Sequence, residues 1–101
     1  MYGTIARMRV KPGQRDAFMA WGRALPMADG EQAAMMYQMD ADPNEFYLAV
    51  AFTSKEAYVA NANSPEQHQT FLQMMNFLES EPEWHDGIVA VEWRGQSPSV
   101  Y

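Results

Sequence analysis

Apolar and polar residues alternate along the first ten positions. Tyr2, Thr4, Ala6, Met8 and Val10 fall on one side and Gly3, Ile5, Arg7 and Arg9 on the other, a period of two that predicts a β-strand with one better-buried face. Lys11-Pro12-Gly13 breaks the pattern, because proline fixes φ and glycine supplies the turn. From Gln14 the period lengthens. Phe18, Trp21 and Leu25 stand at i, i+3 and i+7 with Ala17 and Ala24 beside them, which makes one helical stripe. Pro26 ends it, and Met27 to Gln32, containing Asp29-Gly30, reads as a loop.

Alternation returns from Ala33 to Asp40, and after the turn Asp42-Pro43-Asn44 it is strongest from Glu45 to Thr53. Two strands joined by so short a turn predict a hairpin. Two helix starts follow. Thr53-Ser54-Lys55-Glu56 places a hydroxyl three residues before a glutamate, the pattern of a capping box. Ser64-Pro65-Glu66-Gln67 repeats it with proline at the first helical position, where a missing N–H is harmless. They predict a short helix over about 54–62 and a longer one over about 65–79, the latter with Phe71, Leu72, Met75 and Leu78 on one face. Pro82 ends the second helix. Trp84 to Trp93 is the last expected strand, with Gly87 as a bulge, and Arg94 to Tyr101 is read as an extended tail.

The order β-α-β-β-α-β, with right-handed crossovers, predicts an α+β ferredoxin-like fold: a four-stranded antiparallel sheet in the order 4-1-3-2 with helices on one face. One domain over residues 1–94 and a tail over 95–101 account for the chain.

The sheet is expected to turn Phe46, Leu48, Val50 and Phe52 toward the helices, together with the rows of Tyr2 and Met35 and with Val89, Val91 and Trp93. The opposite face then holds Ile5, Arg7, Arg9, Met36, Tyr47, Ala49, Ala51 and Ile88, with Glu92 as the partner of the arginines. A face open to water is normally polar, and this one is about half apolar. A homodimer closed through the sheet face is therefore expected.

Composition narrows the partners. The formal charge of −6 repels phosphate backbones, so nucleic acid is not expected. With no cysteine there are no disulfides or thiolate sites. No apolar run approaches the ~18 residues of a membrane helix, and the opening residues do not have the pattern of a signal peptide, so a cytoplasmic protein is expected. Nine methionines among 101 residues suit either a soft core or an adaptable wall around an apolar ligand.

Three stretches carry a family resemblance: Val10-Lys11-Pro12-Gly13-Gln14 after the opening strand, Phe52-Thr53-Ser54-Lys55-Glu56-Ala57 after the hairpin, and Asn61-Ala62-Asn63-Ser64-Pro65-Glu66-Gln67-His68 with Phe71. Over roughly residues 2–93 the chain resembles the antibiotic biosynthesis monooxygenase family, one of the dimeric α+β barrels. The resemblance implies a cavity between the sheet and the helices of each subunit. It also implies oxidation of quinols, anthrones or other aromatic polyketides by dioxygen, often without metal or flavin. One branch degrades haem with an Asn on the first strand and a Trp and a His on the second helical segment. The matching positions here hold Arg7, Asn61 and Phe71, so haem degradation is not expected.

His68 and His85 are the only imidazoles, and they lack a metal-binding spacing; no metal or other cofactor is expected. His68 reads as a base or hydrogen-bond donor within the cavity, or as a plain surface residue of its helix. Tyr37, Trp21, Phe71 and Trp93 are expected to converge between helices and sheet, as core or as the wall of a pocket for a small aromatic ligand, with Tyr37 or Asn61 fixing a hydroxyl or carbonyl. The candidate catalytic residues are thus His68, Asn61 and Tyr37, and the candidate substrate contacts are Trp21, Phe71 and Trp93. Two functions fit: cofactor-independent oxygenation of a small aromatic or quinol, or non-catalytic binding of a small apolar metabolite by a dimer. A dimer with a filled core and no ligand is the third reading.

Overall fold

A computed structural model describes residues 1–95; the expected tail beyond Gly95 lies outside them. The elements are β1 (Tyr2–Arg9), α1 (Arg15–Arg23), β2 (Glu31–Gln38), β3 (Glu45–Phe52), α2 (Lys55–Ala62), α3 (Pro65–Met75) and β4 (Glu83–Ile88). The sheet is antiparallel in the order β2-β3-β1-β4, the ferredoxin-like order that the sequence predicts.

Local chemistry sets the element ends. Gly13 turns the chain after β1 with φ of 81°, a left-handed conformation that glycine adopts without steric penalty. The caps of α2 and α3 are Ser54 and Ser64, whose hydroxyls accept from the backbone N–H of Ala57 and Gln67 at 3.1 Å each. The first cap is therefore Ser54 and not Thr53. Helix α3 stops at Met75, short of the expected 79, because the following residues are taken by β1's far end. Lys11 N–H donates to the Phe77 carbonyl, Glu79 N–H donates to the Arg9 carbonyl, and Val10 bridges Leu78.

The core lies between the sheet and helices α1 and α3. Ala6, Met8, Val10, Phe18, Phe46, Met74 and Leu78 are buried, and Trp21, Leu48, Phe71 and Phe77 pack around them. Phe18 anchors it, in edge contact with Phe46 at 5.2 Å between ring centroids and stacked on Trp21 at 5.9 Å. A smaller cluster sits under α2, where Tyr58 meets Tyr2 and Phe52 edge-on at 5.3 and 5.6 Å.

Residues directly opposed across an antiparallel pair share a face, so the registers fix both sides of the sheet. Thr4, Ala6 and Met8 oppose Val50, Leu48 and Phe46 beneath the helices, as expected. Strand β2 corrects the expected assignment. Ala34, Met36 and Gln38 oppose Val50, Leu48 and Phe46, while Met35 and Tyr37 oppose Ala49 and Tyr47 on the open face. The Met36 methyl accordingly reaches Gly22 of α1. The two rows of β2 are about equally apolar, so hydrophobicity alone could not choose between them. A register shift at Gln32 completes the difference.

Strand β4 is also shorter than expected. Its pairing ends where Tyr2 meets Ile88, since β1 offers no further residue beyond one bond from Val89 N–H to the Met1 carbonyl. Trp84, Asp86 and Ile88 share the helix face with Ala6, Thr4 and Tyr2, so Ile88 lies on the side opposite to the expected one. His85 and Gly87 share the open face, and Gly87 pairs with Gly3 in register without the expected bulge. Val91 and Trp93 are 62% and 87% exposed past the strand's end, not packed under the helices.

The charged end of the open face is paired within the chain. Arg7 donates to Glu45 at 2.8 Å and Arg9 to Asp42 at 2.7 Å, with Glu83 and Glu79 nearby. The backbone N–H of Asn44 and the Arg9 guanidinium hold the Asp42 carboxyl below its ordinary range. Glu92, the expected partner, pairs with Arg94 instead.

Two positions on β1 make opposite predictions. A methyl on Gly3 would collide with the Val50 carbonyl and backbone, so Gly3→Ala is expected to destabilise the fold by about 1–3 kcal/mol. Thr4 is the one buried polar residue of the described chain, and its hydroxyl has no hydrogen-bond partner. Thr4→Val removes an unmet desolvation penalty and is expected to stabilise by about 1 kcal/mol. Urea unfolding midpoints check both, and a Gly3→Ala midpoint equal to the parent's would refute the close-approach argument.

Candidate functional site

The expected site residues do not gather in one place. Trp21 and Phe71 lie on the helix side against the core, where Trp21 also donates from Nε1 to Gln73 Oε1 at 3.0 Å. Asn61 joins the two short helices: its Nδ2 donates to Gln67 Oε1 at 3.4 Å, and its carbonyl accepts from the Ser64 hydroxyl at 2.8 Å. His68 is exposed on α3. Tyr37 is half-exposed on the opposite face of the sheet, and Trp93 stands in solvent beyond β4. The convergence of Tyr37 and Trp93 with Trp21 and Phe71 is thus corrected by the β2 register and by the early end of β4.

Two depressions of about 420 Å³ each open on the surface. One lies between α1 and the end of β2, beside Arg15, Asp16, Gln38 and Asp40. The other lies on α2 around Lys55, Glu56, Val59 and Ala60. Neither is lined by the six expected residues.

A different group meets on the helix face of the sheet, at the end covered by α2. Thr4 on β1 opposes Asp86 on β4, and Tyr58 of α2 donates its hydroxyl to Asp86 Oδ1 at 2.8 Å. Partial burial, and then the bond to Asp86, push the Tyr58 phenol up to about 12. Near neutral pH Tyr58 is therefore a proton-bearing donor and not a base. The Thr4 hydroxyl lies close enough to the phenol to favour its ionised form slightly, yet without the geometry of a hydrogen bond. Tyr2 and Phe52 wall the group with aromatic edges, and the Lys55 ammonium lies 5.6 Å from the Tyr2 ring centre.

Carboxylate, phenol and secondary hydroxyl in aromatic surroundings can hold a ligand hydroxyl or carbonyl in a defined orientation. Among the described residues no three His, Asp or Glu side chains group as a metal-ligand set, and no helix is long and apolar enough to cross a membrane. Sequence reasoning missed Tyr58 and Asp86, which are 28 residues apart. One signal was visible: Thr4 is the polar interruption in the row from Tyr2 to Val10.

The fold is shared with solved proteins along nearly its full length. A candidate antibiotic biosynthesis monooxygenase from Chloroflexus aurantiacus is 27% identical, with a TM-score of 0.74 over 93% of this chain and 96% of that one. One from Bordetella bronchiseptica is 18% identical, with a TM-score of 0.76 over 89% and 97%. A protein of unknown function from Nitrosomonas europaea is 22% identical, with a TM-score of 0.73 over 94% and 95%. Among proteins of curated function none matches. The family model for antibiotic biosynthesis monooxygenases matches residues 1–73, which span β1 through most of α3 and include Thr4 and Tyr58. The chain belongs to the antibiotic biosynthesis monooxygenase family.

Proposed function

We propose that this family member oxygenates a small aromatic or quinol without a cofactor, as a homodimer closed over the open face of the sheet. The observation that carries the catalytic reading is the Thr4–Tyr58–Asp86 group, held among aromatic rings on the helix side of the sheet. Such chemistry requires a substrate acidic enough to lose a proton and pass an electron to dioxygen. At a benzylic CH2 the balance is one oxygen atom into the new carbonyl and the other into water, which takes both hydrogens. The protein's share is to orient the substrate, receive the proton and keep bulk water away.

Exposed apolar side chains support the dimer. Ile5, Met35 and Tyr37 are 50–58% exposed on the open face around the small residues Ala49 and Ala51. Covering such side chains contributes on the order of 1.5–3 kcal/mol each before association costs. The arginines at the far end are already neutralised by Glu45 and Asp42, so their approach to a second copy leaves no unpaired cation.

Light scattering on a sizing column at micromolar concentration is expected to give twice the 11.5 kDa of one chain. Ala49→Lys, which places a charge at the centre of the face, is expected to return one chain's mass; a parent already at 11.5 kDa defeats the dimer. For the reaction, oxygen uptake is expected with at least one member of a quinol and anthrone panel, and to survive dialysis against EDTA. Uptake no greater than blank across the panel removes the oxygenase reading and leaves the binding one. Activity lost on dialysis and restored by a metal overturns cofactor independence.

A further inference from the structure

Helix α2 is joined to the rest of the fold more lightly than its neighbours. None of its eight residues is buried, whereas α1 and α3 insert Phe18 and Met74 into the core. Tyr58 carries its directional contacts with the sheet: the ring meets Tyr2 and Phe52 edge-on, and the hydroxyl reaches β4 to donate to Asp86 at 2.8 Å. Ala57 lies close over Gly30, and the Lys55 ammonium is 5.6 Å from the Tyr2 ring centre.

Both ends of α2 are joints. At the first, Ser54 is extended, with φ of −153° and ψ of 166°. At the second, Asn63 departs from helical geometry with φ of −93° and ψ of 0°, and Ser64 is extended again. The Ser64 hydroxyl accepts from the Gln67 N–H, so α3 is closed by a cap of its own and need not unwind when α2 moves. Element-terminal residues of this kind commonly absorb hinge motions.

The surface beneath α2 carries an unmet cost. The Thr4 hydroxyl is 4% exposed, has no hydrogen-bond partner and lies against the Tyr58 phenol. A buried hydroxyl left unpaired disfavours the closed arrangement, and water satisfies it on opening. One interaction therefore holds α2 down while the group under it favours release.

We infer that α2 is a lid that swings from the sheet as a unit, on the joints at Ser54 and at Asn63–Ser64, with the Tyr58–Asp86 hydrogen bond as its latch. Opening admits solvent to the Thr4 hydroxyl and to the Tyr2 and Phe52 rings. It breaks the latch and the ring contacts of Tyr58, and it leaves the Phe18–Phe46 cluster and the strand registers intact. The lid belongs to the fold and does not rest on the proposed oxygenation or on the dimer.

Native-state hydrogen exchange of the full chain at low urea, followed residue by residue by NMR, tests it. The amides of residues 58–63, bonded within α2, are expected to exchange as one block, at least about tenfold less protected than β1 and β3. The block should be nearly independent of urea, since lifting a lid exposes little surface. Tyr58→Phe is expected to lower the whole block about tenfold or more, the effect of losing a hydrogen bond to a charged acceptor. Thr4→Val is expected to raise it about fivefold, because opening no longer hydrates a hydroxyl. Phe18→Leu separates the lid from general unfolding: it should lower protection in β1 and β3 and leave the block unchanged. A block that shares the protection and urea dependence of β1 and β3, or that falls with them in Phe18→Leu, overturns the inference, since α2 then opens only with the whole fold. So does a block untouched by Tyr58→Phe or by Thr4→Val. Thermal melts identify a variant that has failed to fold, and the urea dependence of the parent then decides alone.

Discussion

The position of β1 between β3 and β4 is the constraint on which the molecule depends. A strand paired on both edges cannot slip by one residue without turning every side chain to the wrong face. On β1 the two faces differ sharply: Thr4, Ala6 and Met8 are buried, while Ile5, Arg7 and Arg9 point away from the helices. Gly3 tightens the constraint, because only a residue without Cβ fits against the Val50 backbone. The register of β1 therefore determines which side chains of β3 and β4 lie under the helices. Through them it brings Asp86 opposite Thr4.

Two kinds of packing share the helix side. At the Arg9 end a dry cluster around Phe18 and Phe46 ties α1 and α3 to the sheet. At the Tyr2 end α2 contributes no fully buried residue, and what holds it is the set of ring contacts from Tyr58 and the bond to Asp86. Elements with few buried apolar contacts open at lower free energy than the core. The polar group thus sits under the less firmly seated of the packed regions.

Much of this was legible from the residues. The element order, the strand order, the serine cap before Pro65 and the glycine turn after β1 all follow from period and from turn chemistry. What escaped was parity. Strand β2, with Ala33, Met35 and Tyr37 on one row and Ala34, Met36 and Gln38 on the other, has no face that burial alone would select, so Tyr37 was placed on the wrong side. Strand β4 escaped for a related reason: its length is set by where β1 begins, and nothing within Trp84 to Trp93 marks Ile88 as its end. The Tyr58–Asp86 pair was invisible because it joins a helix of weak amphipathic pattern to a strand with no buried side.

The six residues of β4 also form one rim of the sheet. An unpaired rim invites addition of further strands from other molecules, and proteins resist this with short, charged borders. Here the border is only six residues long and carries Glu83, His85 and Asp86. Growth sideways into a continuous multi-chain sheet is thereby discouraged, while the broad apolar surface perpendicular to it stays available. The short, charged border of β4 thus works against fibre growth along that edge.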